Sequence, residues 1–190
     1  MRAVFLAALL TVLGPEASAG EVELTAADGT VVHADEVGRG SHGVLLIHDA
    51  DRSRGDWRMF MEKAQADGYR VLAIDLRGHG KAKEITQAEP DYSTMPADVL
   101  AGLAHLQKRG VTKVTVIGAG LGANLALHVA GEAPAITDFV LLSPGLNLNG
   151  YKPSQSLEGV GDRPVMLLAA KDDGMASARS EEHTSELQSH

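Results

Sequence analysis

The stretch that most constrains this chain is Val114 to Ala126, VTVIGAGLGANLA. Four β-formers, Val114-Thr115-Val116-Ile117, run directly into Gly118-Ala119-Gly120-Leu121-Gly122, and an apolar helical pattern (Ala123, Leu125, Ala126, Val129) follows at once. This is a strand, a turn almost without side chains, and a helix. Two chemistries use such a turn. In a nucleophile elbow, G-x-S-x-G, glycines let one strained residue stand clear between strand and helix. In a dinucleotide fingerprint, G-x-G-x-x-G/A, they let a pyrophosphate approach the helix N-terminus. Gly118, Gly120, Gly122 and Ala123 satisfy both spacings in part. The elbow spacing is right with Gly120 at the nucleophile's place, and the fingerprint reads G-A-G-L-G-A.

The rest of the chain gives this turn its setting. Glu21 to Val37 reads as a β-hairpin turning at Asp28-Gly29. Val44-Leu45-Leu46-Ile47 is a continuous apolar run, as for a strand buried on both faces, and His48-Asp49-Ala50-Asp51 follows it. Asp56 is placed as an N-cap ahead of Trp57, Phe60, Met61 and Ala64, which share one helix face. Tyr69 to Ile74 is the next strand, leaving through Asp75-Leu76-Arg77-Gly78-His79-Gly80. Lys81 to Asp91 carries no assignment. Ser93 or Thr94 is expected to cap a helix with Pro96 in its first turn and Gly110 at its end. Phe139 to Leu142 and Pro164 to Ala169 are further strands, and Leu146 to Gly161 has no clear period. Strands alternate with helices, which implies an α/β fold: three layers, a mostly parallel sheet with helices on both faces, and an antiparallel N-terminal hairpin.

At 190 residues, one domain with a full core fits the length. A net charge of −8 offers no basic patch, so nucleic acid is not expected as a partner. With no cysteine there is no disulfide and no thiolate metal site. No histidine pair has metal-ligand spacing, and neither a metal nor a cofactor is expected. Residues 1–19 read as a signal peptide: Arg2, the apolar run Ala3 to Leu13, the break at Gly14-Pro15, and the small-residue site Ala17-Ser18-Ala19. The expectation is a secreted or periplasmic protein beginning at Gly20, with no membrane association after the signal is removed. At the other end, residues 179–190 have no apolar period, and RSEEHTSELQS resembles the translation of a sequencing-adapter oligonucleotide. The expected organisation is a signal peptide at 1–19, a domain at 20–178 and a non-native tail at 179–190, so His183 and His190 are no catalytic candidates.

In this order the motifs resemble the α/β-hydrolase superfamily, in its secreted esterase and dienelactone-hydrolase-like branch. LLIHDA resembles the strand leading to a His-Gly oxyanion loop, and IDLRGHG the D-x-R-G-x-G loop. VTVIGAGLGAN resembles the elbow, and PVMLLAAKDDG the strand that ends in the acid of a triad. The resemblance implies carboxylic-ester or related acyl hydrolysis. A serine attacks, a histidine removes its proton, an aspartate orients that histidine, and two backbone N–H groups hold the oxyanion. Carried over, it implies Gly120 at the nucleophile position, Gly118 and Gly122 as elbow glycines, and the N–H groups of Leu121 and Ala50 as oxyanion donors. It also implies Asp173 as the acid, with Asp172 as runner-up, and a small ester or acyl compound as substrate or ligand.

The departures are specific. Gly120 has no nucleophile. The histidine expected after the acid is absent, as are the family's last strand and helix. Asp49 stands where the family has glycine, and a carboxylate pointing inward there would disfavour an oxyanion. The chain is therefore expected to be truncated and inactive by the family's mechanism as it stands: a non-catalytic ligand-binding pseudoenzyme, the product of a damaged gene model, or an interaction module. His48 and His79 are read as structural loop residues, His105 and His128 as helix surface or boundary residues, and Asp172-Asp173 could equally be a solvated turn. The alternative is a dinucleotide-binding, Rossmann-like protein using Gly118 to Ala123. Against it, two strand–helix units precede the turn, and Ser143-Pro144 stand where an acid would meet the ribose.

Overall fold

The computed structural model describes residues 20–86 and 90–169. Seven strands are present: β1 Gly20–Thr25, β2 Val31–Val37, β3 His42–Ile47, β4 Arg70–Ile74, β5 Lys113–Ala119, β6 Ile136–Leu142 and β7 Val165–Leu168. Five α-helices accompany them: α1 Arg58–Ala66, α2 Gly80–Thr86, α3 Pro96–Lys108, α4 Leu121–His128 and α5 Pro153–Val160. The strands form one sheet in the order β1-β2-β4-β3-β5-β6-β7. β1 pairs antiparallel with β2, and β2 antiparallel with β4. Every pairing from β4 through β3, β5 and β6 to β7 is parallel. The mostly parallel α/β sheet with its antiparallel hairpin is thus the architecture expected from the alternation of elements.

The apolar runs explain why the centre of the sheet is covered on both sides. In β3, Leu45 and Ile47 join the larger core with Val99, Leu103 and Leu106 of α3 and Leu125 of α4. Val44 and Leu46 point the other way, to Met61 and Ala64 of α1. β4 divides in the same manner, Leu72 and Ile74 against Val71 and Ala73. Period-2 alternation inside an unbroken apolar run therefore feeds two cores. Each fully buried Leu or Ile contributes about 2 kcal/mol by removal from water.

Two local expectations are corrected. Asp56 is not an N-cap: a 3₁₀ turn, Arg54–Trp57, precedes α1 and contains it, and Phe60 is partly exposed at 39%. Ser93 and Thr94 do not cap α3. They lie in a 3₁₀ turn, Tyr92–Thr94, whose own cap is the Asp91 side chain accepting from Ser93 N–H, and Met95 stands at the α3 N-cap without a side-chain bond. β7, the strand expected from PVMLLA, is the last in the sheet order of the described residues, with Val165 to Leu168 each 45–61% exposed.

The D-x-R-G loop is held by charge. Asp75 is buried and accepts from the backbone N–H groups of Arg54 (2.8 Å) and Lys81 (3.0 Å). The second of these ties down the start of α2, whose polar sequence gives no apolar face. Arg77 forks onto fully buried Asp98 and reaches Asp28 in the hairpin turn. Burial pushes the Asp98 carboxyl up, against the Arg77 guanidinium that pulls it down.

Candidate functional site at the glycine turn

The C-terminal ends of parallel strands point to one edge of the sheet, where ligands of open α/β folds bind. β3, β5 and β6 deliver His48-Asp49, Ala119-Gly120 and Leu142-Ser143 to that edge. There they line a cleft of about 410 Å³ together with Arg52, Asp56 and Trp57, within the usual size range for small-molecule sites.

Gly120 is the apex of the turn, with φ 48° and ψ −113°. Side chains rarely adopt this conformation, and glycine does so at little steric cost. The flanking glycines serve close approach. A Cβ on Gly118 would lie 2.4 Å from the Gly122 carbonyl oxygen, and one on Gly122 would lie 2.4 Å from that of Ile47. α4 can therefore sit hard against β3 and β5. Gly120 N–H donates to the Leu142 carbonyl (2.9 Å), tying the apex to β6.

The two N–H groups expected as oxyanion donors do converge, and they are occupied. Leu121 N–H and Ala50 N–H both donate to Oδ1 of Asp49, each at 2.8 Å. Asp49 points inward. Its carboxylate also fills the volume a side chain at position 120 would need: a Cβ there would be 2.0 Å from Oδ1 and 2.3 Å from Oδ2. Leu121 is the first residue of α4, and its N-cap Gly120 has no side chain to cap with. Asp49 supplies that cap from another loop, placing negative charge on the helix N-terminus where it is favoured.

His48 holds the loop in place. Its Nδ1–H donates to the Asp49 carbonyl (2.7 Å), and its Nε2 accepts from Leu76 N–H (3.0 Å). Both ring nitrogens are engaged in the neutral tautomer, and burial pulls the ring below the usual imidazole range. It is not free to act as a base. His79, also buried, is bonded through Nδ1 to the Arg77 carbonyl. His105 pairs with Glu36, and His128 packs edge-on against Tyr151.

Asp173 and Asp172 lie outside the described residues. Trp57 and Ser143 are among the cleft residues not singled out as functional from the sequence. Trp57 was read as packing. Ser143 follows β6 at φ 46°, an uncommon conformation for a non-glycine residue. Asn124, on α4, secures the segment after β6: its side-chain NH₂ donates to the carbonyls of Gly145 and Tyr151, and its oxygen accepts from Gly145 N–H. Among the described residues no cluster of three or more His, Asp or Glu is suited to a metal, and no helix is long and apolar enough to cross a membrane.

An elbow turn, converging amides and a mostly parallel sheet define the class. The chain belongs to the alpha/beta hydrolase family, whose model matches residues 44–185. The solved structures it resembles include an esterase from Pyrococcus furiosus, with TM-score 0.68, 19% identity, and coverage of 88% of this chain and 78% of that one. Among curated proteins it is 29% identical over 175 residues to the dihydrolipoyllysine-residue acetyltransferase component of the acetoin cleaving system of Cupriavidus necator, covering 86% of this chain and 44% of that protein. It is 28% identical over 140 residues to a 2-hydroxy-6-oxononadienedioate/2-hydroxy-6-oxononatrienedioate hydrolase of Burkholderia vietnamiensis, covering 71% and 48%. The chain thus spans less than half the length of these two relatives. The dinucleotide reading finds no support here, and the Asp49 carboxylate on the α4 N-terminus would repel a pyrophosphate approaching it.

Proposed function

We propose that this chain is a non-catalytic, ligand-binding alpha/beta hydrolase that does not carry out the acyl-serine chemistry of esterases. One observation carries the reading: Asp49 occupies both the side-chain space of Gly120 and the two amides that would stabilise an oxyanion. An ester carbonyl in this cleft would find no nucleophile at the apex and a carboxylate where its oxygen should go. The turn geometry of the family is kept, and its chemistry is not. On this reading Asp173, or Asp172, keeps the acid's place without a reaction to serve.

The test is direct. The purified chain is expected to give no p-nitrophenyl acetate turnover above buffer and no labelling by a serine-directed fluorophosphonate. Labelling of a folded sample, mapped to any serine of the cleft, would overturn the reading.

Export belongs to the same proposal. Residues 1–19 carry the regions of a signal peptide: Arg2, the apolar run Ala3 to Leu13, and the small-residue site Ala17-Ser18-Ala19. N-terminal sequencing of protein from an extracytoplasmic fraction should begin at Gly20. Residues 179–190 are proposed to be a non-native tail on a truncated domain, although the family match runs to residue 185. Resequencing the locus past Ala178 should show a continuing frame in place of these residues.

A further inference from the structure

The occupied amides change the polarity of the cleft. In an open hole, Leu121 and Ala50 would offer two N–H donors and so select an acceptor or an anion. Here Oδ1 of Asp49 consumes both. Among the described residues Oδ2 has no hydrogen-bond partner, and Asp49 is only half-buried and lines the cleft. An ionised carboxylate accepts and never donates. The group standing at the old nucleophile position is therefore a fixed acceptor carrying negative charge. It cannot swing freely, because two N–H bonds hold its other oxygen.

The neighbouring charges leave that polarity intact. Arg52 and Asp56, both on the cleft wall, pair with each other at 3.8 Å across exposed side chains. His48 has both ring nitrogens committed and is neutral. The net charge of the lining is that of Asp49 alone. Trp57 supplies the apolar wall. Its ring is set edge-on to Phe60, 6.3 Å between centroids, and its indole nitrogen is buried without a partner, so the surface it offers is ring carbon. A fixed carboxylate and an indole lining one cleft suit an ammonium group attached to an apolar body.

We propose that the cleft above Gly120 binds small organic ammonium ions, the charged nitrogen against Oδ2 of Asp49 and the apolar body against Trp57. This rests on the non-catalytic reading of the same site and names its ligand class. It places the charge preference opposite to that of an open oxyanion hole.

Trp57 is the only tryptophan of the chain, so its fluorescence reports on the cleft. Three probes of similar shape are titrated into the intact chain: phenethylammonium, 3-phenylpropanoate and 2-phenylethanol. Saturable quenching by phenethylammonium is expected, with 3-phenylpropanoate at least tenfold weaker and the neutral alcohol between them. Asp49→Asn keeps a side-chain oxygen for the two amides and removes the charge. It should weaken phenethylammonium at least tenfold and erase its advantage over the carboxylate. Equal or tighter binding of 3-phenylpropanoate by the unmodified chain, or no saturable binding of the amine, would overturn the proposal without recourse to any variant. Ester turnover in the same samples separates the two readings. Turnover would defeat the non-catalytic reading, whereas its absence together with no preference for the amine would defeat this inference alone.

Discussion

The Asp49 carboxylate and a side chain at position 120 are mutually exclusive: the carboxylate occupies the space where Gly120 would carry a Cβ, 2.0 Å from Oδ1. Two departures from the family pattern, one in each of two distant motifs, are thus a single packing arrangement. A serine placed at position 120 alone therefore meets the Asp49 carboxylate. Gly120→Ser must hold φ 48° with a side chain and displace the carboxylate. It is expected to cost about 2 kcal/mol. Asp49→Gly/Gly120→Ser should recover part of that loss, giving a coupling of about 1 kcal/mol in a urea-denaturation double-mutant cycle. Strict additivity would mean that the two side chains do not compete.

Asp49 also acts as a helix cap from a distance. Asp49→Ala should destabilise the fold by about 1 kcal/mol, the usual cost of losing an N-cap acceptor. Asp49→Asn should cost less, since one oxygen still accepts from Leu121 and Ala50. The amide proton resonances of those two residues report the bonds directly. Both should move upfield in Asp49→Ala and stay near their positions in Asp49→Asn.

Asn124 should be among the more sensitive polar positions of the domain. It is 1% exposed and makes three bonds to backbone groups of the segment after β6. Asn124→Ala leaves the Gly145 N–H and the Tyr151 carbonyl without these partners. The expected loss is about 3 kcal/mol, seen as a lower urea midpoint at unchanged m-value.

His48 ties stability to pH. Burial depresses its pKa in the folded protein, opposed in part by its bond to the Asp49 carbonyl. The folded state therefore takes up this proton less readily than the unfolded chain, whose imidazole titrates near about 6.5. Its contribution is fully present above about pH 6.5 and is lost as pH falls toward the folded-state value. Urea midpoints should drop between pH 7.5 and 5.5, and His48→Gln should flatten that part of the slope. An unchanged slope in the variant would place the titration elsewhere.

What was legible in the sequence was the backbone logic of the site. Glycine spacing marked the strand–turn–helix while leaving two readings open, and the resemblance in motif order singled out Leu121 and Ala50, whose N–H groups meet at Asp49 Oδ1. The direction of Asp49 was not legible, because a sequence gives the residue and not its rotamer. Its hint lay in coincidence: the one extra carboxylate and the one missing side chain fall in loops that adjacent strands β3 and β5 bring together. Two helices carried no readable period for a related reason. α2 is fixed at its start by the distant Asp75, and α5 buries only Val160, so neither presents the apolar stripe that pattern reading depends on. Asp56 looked like a cap because a polar residue preceded apolar ones, whereas the 3₁₀ turn had already begun before it. The apolar run of β7 has the composition of a buried strand, yet as the last in the sheet order of the described residues it is exposed.

The Asp49–Gly120 exclusion also sets an order on change. From this chain, a serine at position 120 becomes sterically cheap only after Asp49 has been replaced by something smaller, and replacing Asp49 alone uncaps α4. Each single substitution at these two positions begins downhill in stability, so the arrangement behaves as a ratchet: the space above position 120 is held closed by the residue that also caps α4.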